Sequence, residues 1–550
     1  MKKAIRKCIA AACLICMEVT LLLSPVSFAG PPNNYYEYST NNYNGLLWSG
    51  NMANALASPA AYTLEKIIST KNLYYYIDGE ENQLTMPMNA PSDLCLGPDG
   101  LLYVLDSGMD DSANGRILVI DKDLKTVKKI INSIQIEEEL MSFALARGIY
   151  ITPAGVMYVC FPAKGIIASF TYDSSPDGPF EAPTKLLKVY TAPDVSAVVQ
   201  DHKNFVFKPT SIVVDRSNRL FVVSEGTVNG LIMLEEDGSF SGFVGANRVT
   251  PSVFDLIWRQ FLTAEQLEKQ KDSVPVEFSS VAIDADGFIY TTSKGNEDGN
   301  QMVRKLNLAG GDILARGSLP IEGDISPLVK TGTPGKSSYF TSVALADSGI
   351  YACLDSQRAR VFGYDAEGNN IFSFGGTQSQ EGSFKNPSSV LFYEGKLLVL
   401  DKDYGEISVF SLTEYGNRIL TAAQNQFNGD FAGAWREWNE VLKMNGNNQF
   451  AHLNVGKALY DEGKYEQAME HFRIGASPML YSKAFSKIRQ QTAEQIMPWI
   501  FIALAALILV YFVLFLIRYV KKTKSSVELF FYSAKKYEKI QALKKEGGRK

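Results

Sequence analysis

Ala90-Pro91-Ser92-Asp93-Leu94, then Asp99-Gly100-Leu101-Leu102-Tyr103-Val104-Leu105-Asp106, then Gly115-Arg116-Ile117-Leu118-Val119, is the stretch that decides the fold. It reads as an apolar strand, a tight turn, a second apolar strand and a third. The turn needs Gly or Asn because its backbone enters positive φ. The pattern recurs five times. Ile149-Tyr150-Ile151 leads through Gly155 to Val156-Met157-Tyr158-Val159, and Ile212-Val213-Val214 leads through Asn218 to Leu220-Phe221-Val222. Val281-Ala282-Ile283 leads through Gly287 to Phe288-Ile289-Tyr290, and Val343-Ala344-Leu345 leads through Gly349 to Ile350-Tyr351. Val390-Leu391-Phe392 leads through Gly395 to Leu397-Leu398-Val399. The turn anchors Gly100, Gly155, Asn218, Gly287, Gly349 and Gly395 thus recur at a long period. Such a period signals a propeller or solenoid, and most of its steps exceed a bare four-stranded blade, so loops carry insertions. Radial closure protects the sheet edges of such a chain.

The first copy resembles an NHL repeat, and the copy from Asn386-Pro387-Ser388 to Val409-Phe410 is nearly as close. Copies two, three and four depart, with Phe161, Ser224 and Ser293 where the others carry Asp106, Asp355 and Asp401. The resemblance covers residues 60–412 and implies a mainly β fold, a six-bladed NHL-type β-propeller. Tyr62 to Ser69 is expected as the outer strand that closes the ring onto blade six. Between copies three and four, Thr250-Pro251 opens a helical period of Phe254, Ile257, Trp258 and Phe261, and Thr263-Ala264-Glu265-Gln266 resembles a capping box. Residues 250–272 are therefore expected as a helical hairpin inserted on one propeller face.

After the propeller the period becomes helical. Gly429, Phe431, Ala434 and Trp438 recur in the same order and spacing as Gly463, Tyr465, Ala468 and Phe472. The offset between the two sets resembles that of tetratricopeptide repeats over residues 416–491, with a third helix expected near Tyr481 to Gln491. Ile496 to Ile517 is 22 residues without a charge, flanked by Trp499 and Tyr519 and followed by Arg518, Lys521, Lys522 and Lys524. Such a segment is long enough to span a bilayer, and its positive flank is expected on the cytoplasmic side. The span is taken as 496–519 and the basic tail as 520–550, with Val527 to Leu543 open to two readings, a basic amphipathic helix or a solvated segment. At the other end, Lys2, Lys3, Arg6 and Lys7 precede an apolar stretch and Ser27-Phe28-Ala29. This reads as a signal peptide over residues 1–29, or as an uncleaved anchor, before a flexible leader over 30–59. A single-pass plasma-membrane protein with its body outside is the expectation.

The net charge is −5, but eleven Lys or Arg against three Glu lie between Arg518 and Lys550. The segment before Gly30 is also basic, so the body between is strongly acidic, which argues against nucleic-acid binding. Cys95, Cys160 and Cys353 remain beyond the N-terminal segment and read as buried free thiols. Only three His occur, His202, His452 and His471, too few in the propeller for a zinc site. No nucleophile elbow, P-loop or paired Cys motif is present. Asp after a strand caps its own turn, so Asp106, Asp355 and Asp401 are expected to be structural.

These exclusions point to a non-enzymatic binding or scaffolding protein with no cofactor and a protein or glycan ligand outside the membrane. The candidate partner-binding residues are Phe254, Ile257, Trp258 and Phe261 of the insert and Trp435 of the first repeat helix. Each of them has an alternative as a packing residue. The NHL resemblance implies a broad ligand-binding face and, for a single-pass propeller, a role accessory to extracytoplasmic sensing or to carbohydrate uptake systems in bacteria. The rival reading is a calcium-dependent lactonase-like hydrolase, whose similar propellers line the pore with Glu, Asp and Asn; the pattern here picks out no such quartet.

Overall fold

The computed structural model describes residues 59–546, apart from 78, 109–114, 137–138, 176–177, 197–204, 246–276, 294–300, 316–321, 324–337, 377–381 and 476. Six antiparallel sheets follow one another along the chain as the blades of a β-propeller. Blade 1 runs through Pro91–Leu96, Leu102–Asp106, Arg116–Ile120 and Val127–Ile131. Blades 2, 3 and 5 repeat the four strands, and blade 4 shows three among the described residues. The outer strands escaped the sequence pattern because they are half-exposed and alternate in polarity; Thr184–Tyr190 of blade 2 is one. Two hairpins, Tyr74–Ile77 with Glu80–Gln83 and Ser133–Ile136 with Glu139–Ser142, add to the blades without belonging to them.

Blade 6 is completed from the far end of the chain. Tyr62–Ile68 pairs antiparallel with Glu406–Leu412, from Tyr62 opposite Leu412 to Ile68 opposite Ile407. The outer strand is thus supplied by residues that precede blade 1, as the sequence pattern predicts.

The turn chemistry follows the sequence. Gly100, Gly155, Asn218, Gly287, Gly349 and Gly395, one per blade, all stand at positive φ between the first and second strands. The second strands are buried on both faces; Leu102, Val104 and Leu105 are inaccessible to solvent. Each blade packs on the next through their side chains, with the blade 1 strands meeting those of blade 2 on one side and blade 6 on the other. Between blades 5 and 6 the contact is aromatic, with Phe374 and Phe410 centroids 4.6 Å apart and Tyr62 at 4.9 Å from Phe372.

The blade-end acids are structural. Asp401 accepts the amides of Lys385, Asn386, Asp403 and Tyr404, and Asp355 those of Tyr339, Gln357 and Arg358. Asp106 differs: it takes the Asn89 amide and pairs with buried Arg116 at 3.2 Å. Where blade 3 has Ser224, its hydroxyl holds the Lys208 amide in the same way at 2.9 Å.

The chain leaves blade 6 into helix α1, Glu414–Phe427, then α2, Phe431–Met444. Thr413 caps α1 on the Gly416 amide and donates to Ala60 O at 2.7 Å, so entry and exit of the propeller are tied together. A Cβ at Gly416 would lie 2.0 Å from Ala61 O, so this close approach requires glycine. Helices α3, Gln449–Asp461, and α4, Tyr465–Ile474, follow. Gly429 and Gly463, the matched glycines of the helical period, both take positive φ, before α2 and α4 respectively. Trp438 is buried edge-on against Phe450, and His452 Nδ1 lies 3.0 Å from His471 Nδ1.

The final element, α5, is a single helix from Pro478 to Glu546. At about 1.5 Å per residue its 69 residues measure roughly 100 Å. The segments read separately as a third repeat helix, a span and a tail are continuous in it, and Pro498 lies inside it. Its apolar window has a mean hydropathy of 3.2, and none of that window is buried within the protein. Residues 459–470 and the described part of 478–550 form a compact unit distinct from the propeller and the preceding helices. Within it Tyr460 packs edge-on against Tyr465, and the Lys483 ammonium lies 5.0 Å from the Tyr460 ring centre.

Candidate functional site at the channel mouth

The inner strands of all six blades line a central channel of about 260 Å³. Strand pairing fixes which residues are equivalent. Leu94, Ile149, Ile212, Val281, Val343 and Val390 each lie opposite the residue two before a blade end. The residue just before each is therefore Asp93, Gly148, Ser211, Ser280, Ser342 and Ser389.

This layer stitches the ring. Ser211 accepts the Val281 amide of blade 4 at 3.3 Å, Ser342 the Val390 amide of blade 6 at 3.2 Å, and Ser389 the Leu94 amide of blade 1 at 3.3 Å. Asp93 takes the Ile149 amide of blade 2 at 3.1 Å. In blade 2 the position must be Gly148, because a Cβ would stand 2.6 Å from Thr210 O.

Asp93 also accepts the Leu94 amide and the Ser389 hydroxyl. Enclosure by the inner strands nevertheless raises its carboxyl to about 6, against the pull of those three donors. Cys95, two residues on, also lines the channel and is partly exposed there, unlike Cys160 and Cys353, which are buried. Burial, with the Asp93 charge second, pushes its thiol up to about 12, so it is inert as a nucleophile.

One step nearer the mouth the equivalent residues are Ser92, Arg147, Thr210, Ser279, Thr341 and Ser388. Five blades present a hydroxyl; blade 2 presents a guanidinium. Near it is Lys402 of blade 6, half-buried, whose ammonium is held below the ordinary lysine range by burial and by the charge of Arg147. Farther along, toward the opposite face, the lining turns apolar with Val213, Ile283, Leu345 and Leu391. The channel has a polar, cationic end and an apolar end.

On that opposite face a cleft of about 1330 Å³ opens between blades 2 and 3, walled by Tyr150, Tyr158 and Tyr190 and rimmed by Glu235, Glu236 and Asp237. Asp237 caps its own turn on Ser239, and Lys188 donates to Glu236 O at 3.0 Å. Among the described residues no group of three or more His, Cys, Asp or Glu converges to hold a metal. Asp93 is the single carboxylate among the described residues lining the channel.

Phe254, Ile257, Trp258 and Phe261 lie outside the described residues, as do His202 and the whole insert 250–272. Trp435 sits on α2, half-buried, with its indole nitrogen enclosed and lacking a hydrogen-bond partner among the described residues. It does not join the channel lining. Arg147 and Lys402 were missed by sequence reasoning. The signal that finds Arg147 is positional: once the six copies are set in register at their turns, it is the outlier in a column of hydroxyls.

No known protein family matches the chain, and no curated protein matches its sequence. Solved structures with a similar architecture exist at low identity. Virginiamycin B lyase from Staphylococcus aureus is 13% identical at a TM-score of 0.35, over 64% of this chain and 95% of its own. The PQQ-bound aldose sugar dehydrogenase from Streptomyces coelicolor is 14% identical at 0.32, over 65% and 100%. The Cps50 (Swd1) propeller domain from Myceliophteria thermophila is 10% identical at 0.33, over 59% and 97%.

Proposed function

We propose that this chain is a membrane-tethered, extracytoplasmic binding protein. Its NHL-type propeller is the ligand-binding head, its TPR-like helices are a second protein-binding surface, and α5 is the anchor in the plasma membrane. The carrying observation is the apolar segment of α5, whose side chains from Trp499 to Tyr519 are largely exposed and pack against no other element among the described residues. The cluster of Arg518, Lys521, Lys522 and Lys524 directly after it supports a cytoplasmic tail and an external propeller. A segment over residues 1–29 that directs export agrees with that orientation.

A binding role, rather than catalysis, is supported by the channel lining. A calcium-dependent lactonase needs a carboxylate-rich oxygen cage, since Ca²⁺ takes six to eight oxygen ligands. Here Asp93 is the one carboxylate available among the described residues, and three donors already occupy it. Protease added to intact cells tests the topology: the propeller is removed while the tail survives. Cleavage of the propeller only after lysis would place it inside and end this reading.

A further inference from the structure

The quasi-sixfold symmetry of a propeller gives a reference for every position. At the mouth, the departure from that reference is one residue, Arg147 against five hydroxyls. Arg147 is exposed, and its guanidinium meets no carboxylate among the described residues. Asp93 lies one layer deeper, but its oxygens are turned to the Leu94 and Ile149 amides and the Ser389 hydroxyl. Among the described residues no side-chain partner of Arg147 accounts for a cation here, and Lys402 of blade 6 is near enough to feel its charge.

The collar of hydroxyls is differently poised. Ser388 donates to Pro91 O at 3.1 Å, and Ser279 donates to Phe340 O of blade 5. Ser92, Thr210 and Thr341 lean on their own blades' carbonyls at 3.4 Å. A hydroxyl has one proton and two lone pairs. With their protons directed into the wall, Thr210, Thr341 and Ser388 keep lone pairs to accept from a ligand, whereas Ser92 already accepts from Ser107 and Ser279 meets the Thr292 hydroxyl. The mouth therefore offers a guanidinium donor, with a second cation near it, and hydroxyl acceptors at Thr210, Thr341 and Ser388.

We infer that the mouth binds a small polyhydroxylated carboxylate, a sugar acid, with Arg147 and Lys402 holding the carboxylate and the serine–threonine collar accepting the ligand's hydroxyl protons. A guanidinium fork matches a carboxylate bidentately. A neutral sugar would leave two cations unpaired, and a bare anion would face oxygen lone pairs. The channel, at about 260 Å³, lies just below the range of roughly 300–1,000 Å³ typical of drug-sized pockets, so it takes a monomer rather than a chain.

The inference rests on the reading of the propeller as a binding head. It is tested on the full-length protein in detergent by calorimetric titration with galacturonate, galactose and cyclohexanecarboxylate. Galacturonate binds saturably, and the other two, each lacking half of the chemistry, bind at least about tenfold more weakly. Arg147→Ala weakens galacturonate about tenfold or more, with an unchanged melting temperature because the side chain is exposed. Lys402→Ala weakens it less, and Lys185→Ala on the exposed outer strand of blade 2 leaves it unchanged. Absence of saturable galacturonate binding overturns the inference. Equal affinity in Arg147→Ala, or cyclohexanecarboxylate or galactose binding as tightly as galacturonate, overturns it too. A failed topology test would leave these titrations intact, so the two readings fall separately.

Discussion

The strand Leu102–Asp106 and the segment Ile496–Ile517 are both nearly continuous apolar runs, yet they meet opposite environments. The strand is inaccessible to solvent at Leu102, Val104 and Leu105; the helical segment has Leu507 63% and Leu509 65% exposed. The difference is repetition. The short run between turns has an equivalent in every other blade, and the six sheets bury one another's faces. The helical run stays exposed among the described residues, and it is long and apolar enough to cross a membrane. The same hydrophobic effect builds a closed ring in one case and, in the function proposed above, an anchor in the other.

The comparison breaks most severely if the ring is opened. Deleting Tyr62–Ile68 strips blade 6 of its outer strand, exposes the edge of Glu406–Leu412 and removes Tyr62 from the aromatic contact with Phe372. The truncated protein is expected to lose its cooperative melting transition and its resistance to limited proteolysis. A truncation that melts like the full chain would show that the ring does not depend on closure. On the other side, Leu507→Arg puts a charge at the centre of the apolar window, where it opposes insertion by about 2.5–3.5 kcal/mol. A Leu507→Arg, Val510→Arg double variant should move the protein from the membrane to the soluble fraction without altering the melting of the propeller. Retention in the membrane would mean the helix is not a span.

The smallest effect sharpens the comparison inside the ring, where a half-buried channel position carries a carboxyl. Asp93 titrates near 6 in the folded protein, above its ordinary 3.8, because the channel encloses it. The folded state therefore binds more protons than the unfolded state between about pH 4 and 6. The Asp93 contribution to stability is fully present below that window and is lost as pH rises through it. The loss is on the order of 1 kcal/mol once channel water is allowed for. Denaturant midpoints measured from pH 4 to 7 should fall less steeply in Asp93→Ser than in the native chain. An identical pH profile in the two proteins would assign the titration elsewhere.

Much of the fold was legible in the sequence, and for a physical reason. A strand buried on both faces must be apolar throughout, and a turn at positive φ must be Gly or Asn, so each blade carries its own signature at Gly100, Gly155, Asn218, Gly287, Gly349 and Gly395. The closing strand was legible because Tyr62-Thr63-Leu64 precedes the first copy with no other partner to take. The outer strands were harder, since a half-exposed strand such as Thr184–Tyr190 alternates with loops of similar composition. Arg147 was not legible as a site residue, because a lone arginine before a strand looks like solvated polarity. Its meaning arises from register, which the pairing of Ile149 with Val159 supplies. Trp435 shows the converse: an aromatic residue without a counterpart in the next repeat draws notice, yet it sits half-buried on α2, away from the channel lining.

The pairing of Tyr62–Ile68 with Glu406–Leu412 also dictates a timetable. The first strand of the propeller to be synthesised is the last to find its place, because its partner is the last strand of the ring to be made. Closing so long a loop carries an entropic penalty that grows with its length, and chains dominated by such distant contacts fold slowly. While the chain is being made, blades 1 to 5 can form in sequence, but the seam between blades 6 and 1 stays open until Leu412 has emerged. During that interval the unpaired edge of Tyr62–Ile68 is an invitation to the wrong partner, and the negative charge of the body opposes the close approach of neighbouring copies.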